Sequence, residues 1–129
     1  MNELTEIFGP VIHRYTRAQA LADGALIDAG ELAREAGFTV PLALTAAAWA
    51  EAVAWDHGPH QDETGRLWDV LTMAGLAART ATGPRVAFTV ARVPNRPGAE
   101  QPTNTTLHLH IGPGDTPAPV LTVLLPHED

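Results

Sequence analysis

Cysteine, lysine and serine are all missing from this chain. Without cysteine there are no disulfides, no thiolate metal ligands and no cysteine nucleophile. Without serine, serine-based hydrolysis is excluded, and the hydroxyls left are threonines and one tyrosine. Positive charge is scarce as well: eight arginines face fifteen acids, for a net charge of −7. An acidic surface with no basic stripe repels a phosphate backbone, so direct nucleic-acid binding is not expected and a protein or small-molecule partner is. With only three Trp, three Phe and one Tyr, the interior has to be filled mainly by Ala, Leu and Val. No apolar run approaches the roughly twenty residues of a membrane-spanning helix. Met1–Glu6 carries two acids and none of the basic residues of a secretory leader, so a cytoplasmic location without membrane attachment is expected.

What is present is clear punctuation. Thr16-Arg17-Ala18-Gln19 leading to Gly24, and Asp28-Ala29-Gly30-Glu31 leading to Gly37, each spell a short helix with a polar cap, a Gln or Glu three residues on and a glycine stop. Tyr15, just before the first cap, is expected to pack on Ala20 as a hydrophobic staple, and Phe38 to fold back on the second helix. After Pro41, Thr45 caps a third helix with Ala46, Trp49, Ala50 and Val53 on its apolar face. A polar connection, Asp56 to Thr64, leads to a fourth, whose stripe is Leu67, Val70, Leu71, Ala74 and Ala78. Beyond Gly83-Pro84 the period changes to two. Val86, Phe88 and Val90 alternate with smaller residues, and Leu107, Leu109 and Ile111 alternate with Thr106, His108 and His110. The run Val120–Leu125, apolar but for Thr122, suits a strand that is buried on both faces or central in its sheet.

The expected architecture is therefore a single α+β domain over residues 1–129. Four short helices in the N-terminal two-thirds pack on a C-terminal three-stranded antiparallel meander, with a further short strand over Gly9–Tyr15. Such a sheet leaves open edges through which a homodimer could form.

Several stretches together resemble a family of small acidic proteins, without assigned activity, that occur on plasmids, phages and other mobile elements. They are Tyr15–Ala20 with Asp23-Gly24, Phe38–Thr45 with Trp49, Gly65–Leu71, Arg92-Val93-Pro94, and Gly112–Asp115 through to Leu125-Pro126. The resemblance implies a setting and no chemistry: a small protein-binding module that acts on a host protein, defence proteins included.

Two sets of residues carry candidate chemistry. Asp56-His57 and His60-Gln61-Asp62-Glu63 place two imidazoles beside carboxylates in one loop, the ingredients of general acid and base catalysis, with His57, His60 and Glu63 as the catalytic candidates. His108 and His110 share one face of a strand and, with Asp56 and Trp55, are candidates for binding. Two histidines are too few for a metal site and the spacing selects no third ligand, so no metal or cofactor is assigned. Trp49 and Trp68 read as core anchors, whereas Trp55, at the end of its helix, is the tryptophan expected to meet solvent. The alternative to a binding module is a small enzyme with a His and carboxylate site, either a hydrolase or a transferase. For the latter, His13-Arg14-Tyr15-Thr16 followed by Asp23-Gly24-Ala25-Leu26 is faintly similar to the opening of ADP-ribosyltransferases.

Overall fold

Three side-chain oxygens set the starts of three helices. Each belongs to a residue in extended backbone and accepts a hydrogen bond from an N–H three residues on: Thr16 from Gln19 at 3.0 Å, Thr45 from Ala48 at 3.0 Å, and Asp62 from Gly65 at 2.6 Å. The computed structural model describes residues 15–128. Within them lie α1 (Arg17–Asp23), β1 (Leu26–Asp28), α2 (Gly30–Glu35), β2 (Leu42–Thr45), α3 (Ala46–Ala52), α4 (Glu63–Thr80), β3 (Arg85–Arg92), β4 (Thr103–Pro113) and β5 (Pro119–Leu124). The strand expected over Gly9–Tyr15 falls, except for Tyr15, outside the described residues.

The first helix has the expected capping box, Gln19 reaching back to the Thr16 N–H at 2.9 Å. The second does not. Asp28 instead accepts from the Gly30 N–H at 2.9 Å, the helix opens on Gly30 at φ +63°, and Glu31 turns outward to Arg34. Its end is as expected. Gly37 at φ +103° donates to Arg34 O and Phe38 donates to Ala33 O, the pair of hydrogen bonds that closes a Schellman turn.

The fold class is α+β with four helices among the described residues, but the three-stranded antiparallel meander is corrected. β3, β4 and β5 do pair antiparallel in sequence; they are three strands of a five-stranded mixed sheet in the order β1-β2-β5-β4-β3, with β2 parallel to β5. The two extra strands left little trace in the sequence. β2 is four residues long, is built on Leu and Ala, which favour helix as readily as sheet, and buries Leu42, Ala43 and Leu44 completely, so no alternation shows. β1 has three residues. The apolar run of β5 was the legible sign of a sheet continuing on both sides of it, and β5 is the middle strand.

The register aligns apolar residues in rows across the covered face: Leu44, Val123, Leu109 and Val86 in one, Leu42, Leu121 and Ile111 in the next. α3 and α4 pack over these rows with Ala48, Ala52, Val53, Val70, Leu71 and Ala74, all fully buried. Each buried Leu or Val contributes about 1.5–3 kcal/mol of transfer free energy. The buried face of α3 is thus Ala48 and Ala52 with Val53, flanked by a half-buried Trp49, while Ala46 and Ala50 are exposed, a rotation of the face expected. The stripe of α4 holds as expected.

Tyr15 is not a staple. It is exposed and donates from its hydroxyl to Asp23 Oδ2 at 2.5 Å, which holds the Asp23 carboxyl below its ordinary range. α1 is tied instead by Arg17, which donates to Thr122 Oγ1 and Leu121 O at 2.9 and 2.8 Å, and by Asp115, whose carboxylate accepts the Arg17 and Ala18 N–H groups at 2.7 and 3.0 Å. An acid at a helix N-terminus satisfies donors that have no partner within the helix.

Candidate functional site

α3 ends where the Val53 and Ala54 N–H groups both return to Trp49 O, and the chain then loops to Asp62 at the start of α4. Five of the residues singled out from the sequence, Trp55, Asp56, His57, His60 and Glu63, come together in this loop. Trp55 is its centre. Its indole N–H donates to Gly58 O at 2.8 Å, and its backbone N–H donates to Glu63 Oε2 at 3.2 Å. His57 and His60 stand edge-on to its ring, with centroids 5.7 and 5.0 Å away. Asp56 Oδ1 lies 3.1 Å from His57 Nε2, and Gly58, at φ +108°, makes the turn that an L side chain would strain. The loop's acids and imidazoles are spent largely on one another and on backbone, which is how a polar loop is held in shape.

Beneath Trp55 lies a pair of side chains that sequence reasoning did not single out. Arg66 and Arg92 are only 2% and 4% exposed. Arg66 donates to Val53 O and Val93 O, both at 2.8 Å, and its guanidinium carbon sits 5.1 Å from the Trp55 ring centre. Arg92 donates to Ala52 O and Arg66 O at 3.1 Å and to Asp69 Oδ2 at 2.7 Å. Two cations thus close the carbonyl end of α3, where a helix leaves acceptors unpaired and its dipole is negative. Burial and the neighbouring Arg92 hold the Arg66 pKa below its ordinary value, against the pull of Asp69 and Glu63. A signal was there: Arg66 lies four residues before Val70 on the apolar stripe, and Arg92 has the same parity as Phe88 and Val90.

His108 and His110 sit on the uncovered face of β4, half-buried and exposed respectively. Arg85 Nε donates to His108 Nδ1 at 2.7 Å, and burial together with that positive charge keeps the His108 pKa below its ordinary value. Arg85 also donates to Glu128 O at 2.8 Å, while Glu128 Oε1 accepts from Thr45 Oγ1 and Leu125 N, so His108 belongs to a latch on the segment after β5. Among the described residues, no group of three or more His, Asp or Glu could hold a metal ion, and no helix is long and apolar enough to cross a membrane.

The remaining feature is the open edge of the sheet. Ile111 donates to Pro84 O at 2.7 Å, directly ahead of the pair Arg85 and His110. The alternation of an antiparallel ladder then assigns the bonds to β4 to Val86, Phe88, Val90 and Arg92, and turns the N–H and C=O groups of Arg85, Ala87, Thr89 and Ala91 outward. The Ala91 carbonyl is taken by Arg92 Nε at 2.8 Å; among the described residues nothing bonds the outward groups of Ala87 and Thr89. Beside this edge runs a groove of about 560 Å³ in which Trp68, Asp69, Thr72 and Met73 of α4 face Thr89 and Ala91. Trp68, read from the sequence as a core anchor, is 39% exposed, and Leu76, two turns further along, is 50% exposed. Trp55, expected to meet solvent, is half-buried in its loop.

A family model described as a family of unknown function (DUF6573) matches residues 1–129. No curated protein and no solved structure matches the chain.

Proposed function

The chain belongs to this family, and since membership brings no activity with it, we propose from the geometry that it is a protein-binding module, which takes up an extended segment of its partner along the open edge of β3. The observation that carries the reading is the pair of unbonded outward backbone groups at Ala87 and Thr89 beside the exposed Trp68. Strand addition uses main-chain hydrogen bonds for affinity and flanking pockets for selectivity, and an edge with a hydrophobic overhang supplies both. A net charge of −7 supports a protein partner over a nucleic acid. The mobile-element setting suggested by the sequence resemblance makes a cytoplasmic host protein the partner to look for.

The test is a matched pair of variants. Ala87→Pro removes one outward N–H without touching the ladder to β4, and Thr89→Lys places a charge on the open edge. Both are expected to keep the fold and to lose partner capture from host extract. Capture at the wild-type level by both variants, with folding verified by circular dichroism, would reject the reading.

A further inference from the structure

The same edge specifies the chemistry of what it accepts. Resting on the strand-addition reading above, we infer that the occupant is a cationic segment of alternating apolar and small polar residues, running antiparallel to β3 with its basic residue at the Asp69 end. Three observations converge on this.

The first is parity. Residues opposite one another on neighbouring strands point to the same face. A segment paired outside β3 therefore sends the residues opposite Phe88 and Val90 to the α4 side, the latter at the groove that Trp68, Thr72 and Met73 line with Val90. Those opposite Ala87, Thr89 and Ala91 go to the uncovered face, where these three side chains are exposed. The first set must be apolar and the second small or polar.

The second is charge. Asp69 lines the groove beside Ala91, its side chain is 57% exposed, and only its Oδ2 is engaged, by Arg92. The free oxygen can accept from a Lys or Arg opposite the end of β3, and the overall charge of −7 draws such a segment in. In the antiparallel orientation, the slightly more stable pairing, the basic residue is at the segment's N-terminal end. Two copies of this chain, each at −7, repel where a cationic segment is attracted, so a second copy is the weaker occupant.

The third is where pairing stops. The Ala91 carbonyl is already bound by the Arg92 side chain, so the open hydrogen-bonding run centres on Ala87 and Thr89 and fits a short segment.

The probe is the amidated hexapeptide Lys-Thr-Val-Thr-Val-Thr, added to the full chain at low salt, with backbone amide signals and hydrogen exchange read at Ala87 and Thr89. Saturable slowing of exchange at both amides is expected, with binding roughly fivefold weaker when the peptide's Lys is replaced by Glu. Equal binding of the Glu peptide overturns the charge assignment. Protection that appears without peptide and grows with protein concentration overturns the occupant in favour of a second copy. No protection at millimolar peptide overturns the inference altogether. Loss of partner capture in the Ala87→Pro variant, alongside failure of this peptide, would leave strand addition standing and remove only the ligand chemistry proposed for it.

Discussion

The two edges of the sheet are built to opposite rules. β1 is three residues long, and the pairing of Ala25 with Ala46 and Ala29 with Leu42 turns only Leu26 and Asp28 outward. One of these is an acid, a residue type that discourages further pairing, and the buried Ala20 of the neighbouring α1 adds cover. β3 has eight residues, with no proline, no glycine and no charge between Arg85 and Arg92. Folded proteins usually blunt such an edge, so one that is left open beside an exposed tryptophan is where a sheet can be extended.

The largest effect should come from cutting β3 loose. Arg92→Ala leaves Ala52 O, Arg66 O and Asp69 without their donor, and a loss of about 3 kcal/mol is expected in chemical denaturation. Hydrogen exchange should quicken along β3 and the end of α3 before it does along β1. A uniform response would mean that Arg92 is not what seats this edge.

Next comes the contrast itself. Ala87→Pro should weaken partner binding at least about tenfold, equivalent to about 1.4 kcal/mol, while the mirror substitution on the other edge, Leu26→Pro, leaves binding unchanged. Titration calorimetry with the captured partner reads both. If Leu26→Pro weakens binding as much, the edges are equivalent and the comparison fails.

His57→Ala and His60→Ala should each cost about 1 kcal/mol of stability, the worth of an edge-to-face contact on Trp55, and leave binding at β3 intact. A small enzyme working through His57, His60 and Glu63 predicts the reverse pattern, loss of function with the fold unharmed.

The smallest effect is a pH dependence on the uncovered face of β3 and β4. Arg85 donates to a neutral His108, so the folded protein takes up this proton less readily than the unfolded chain does. The stabilisation is complete above the ordinary histidine range and is lost as pH falls through it toward the lower folded value. Denaturation midpoints should decline gently between neutral and mildly acidic pH in the wild type, and more weakly in His108→Gln.

How much of this could be read beforehand follows from what each segment does. The caps at Thr16, Thr45 and Asp62 act on neighbouring residues, and the first two were visible in the sequence. The stripe of α4 and the alternation of β3 and β4 face one apolar layer, so their periods survive in the sequence. β2 is sealed on both faces and has no period to show. Arg66 and Arg92 carry a charge, which ordinarily marks an exposed position, although their spacing is that of core residues. The loop candidates Trp55, Asp56, His57, His60 and Glu63 do meet in space, because nearness in sequence is enough within one loop. β3 is an outer strand in the expected meander as well; the groove beside it did not show because Trp68 reads as a core residue, and the short β1 and β2 change only the opposite edge.

Thr45 ends β2, starts α3 and donates to Glu128, and β2 lies against β5, which follows every other described element. During synthesis, then, β1 and β2 leave the ribosome long before the strand they must join, and they wait as an isolated pair of very short strands with little stability of its own. Assembly of the sheet has to begin from the later strands and recruit the earlier ones, so β5 decides when β1 and β2 can settle.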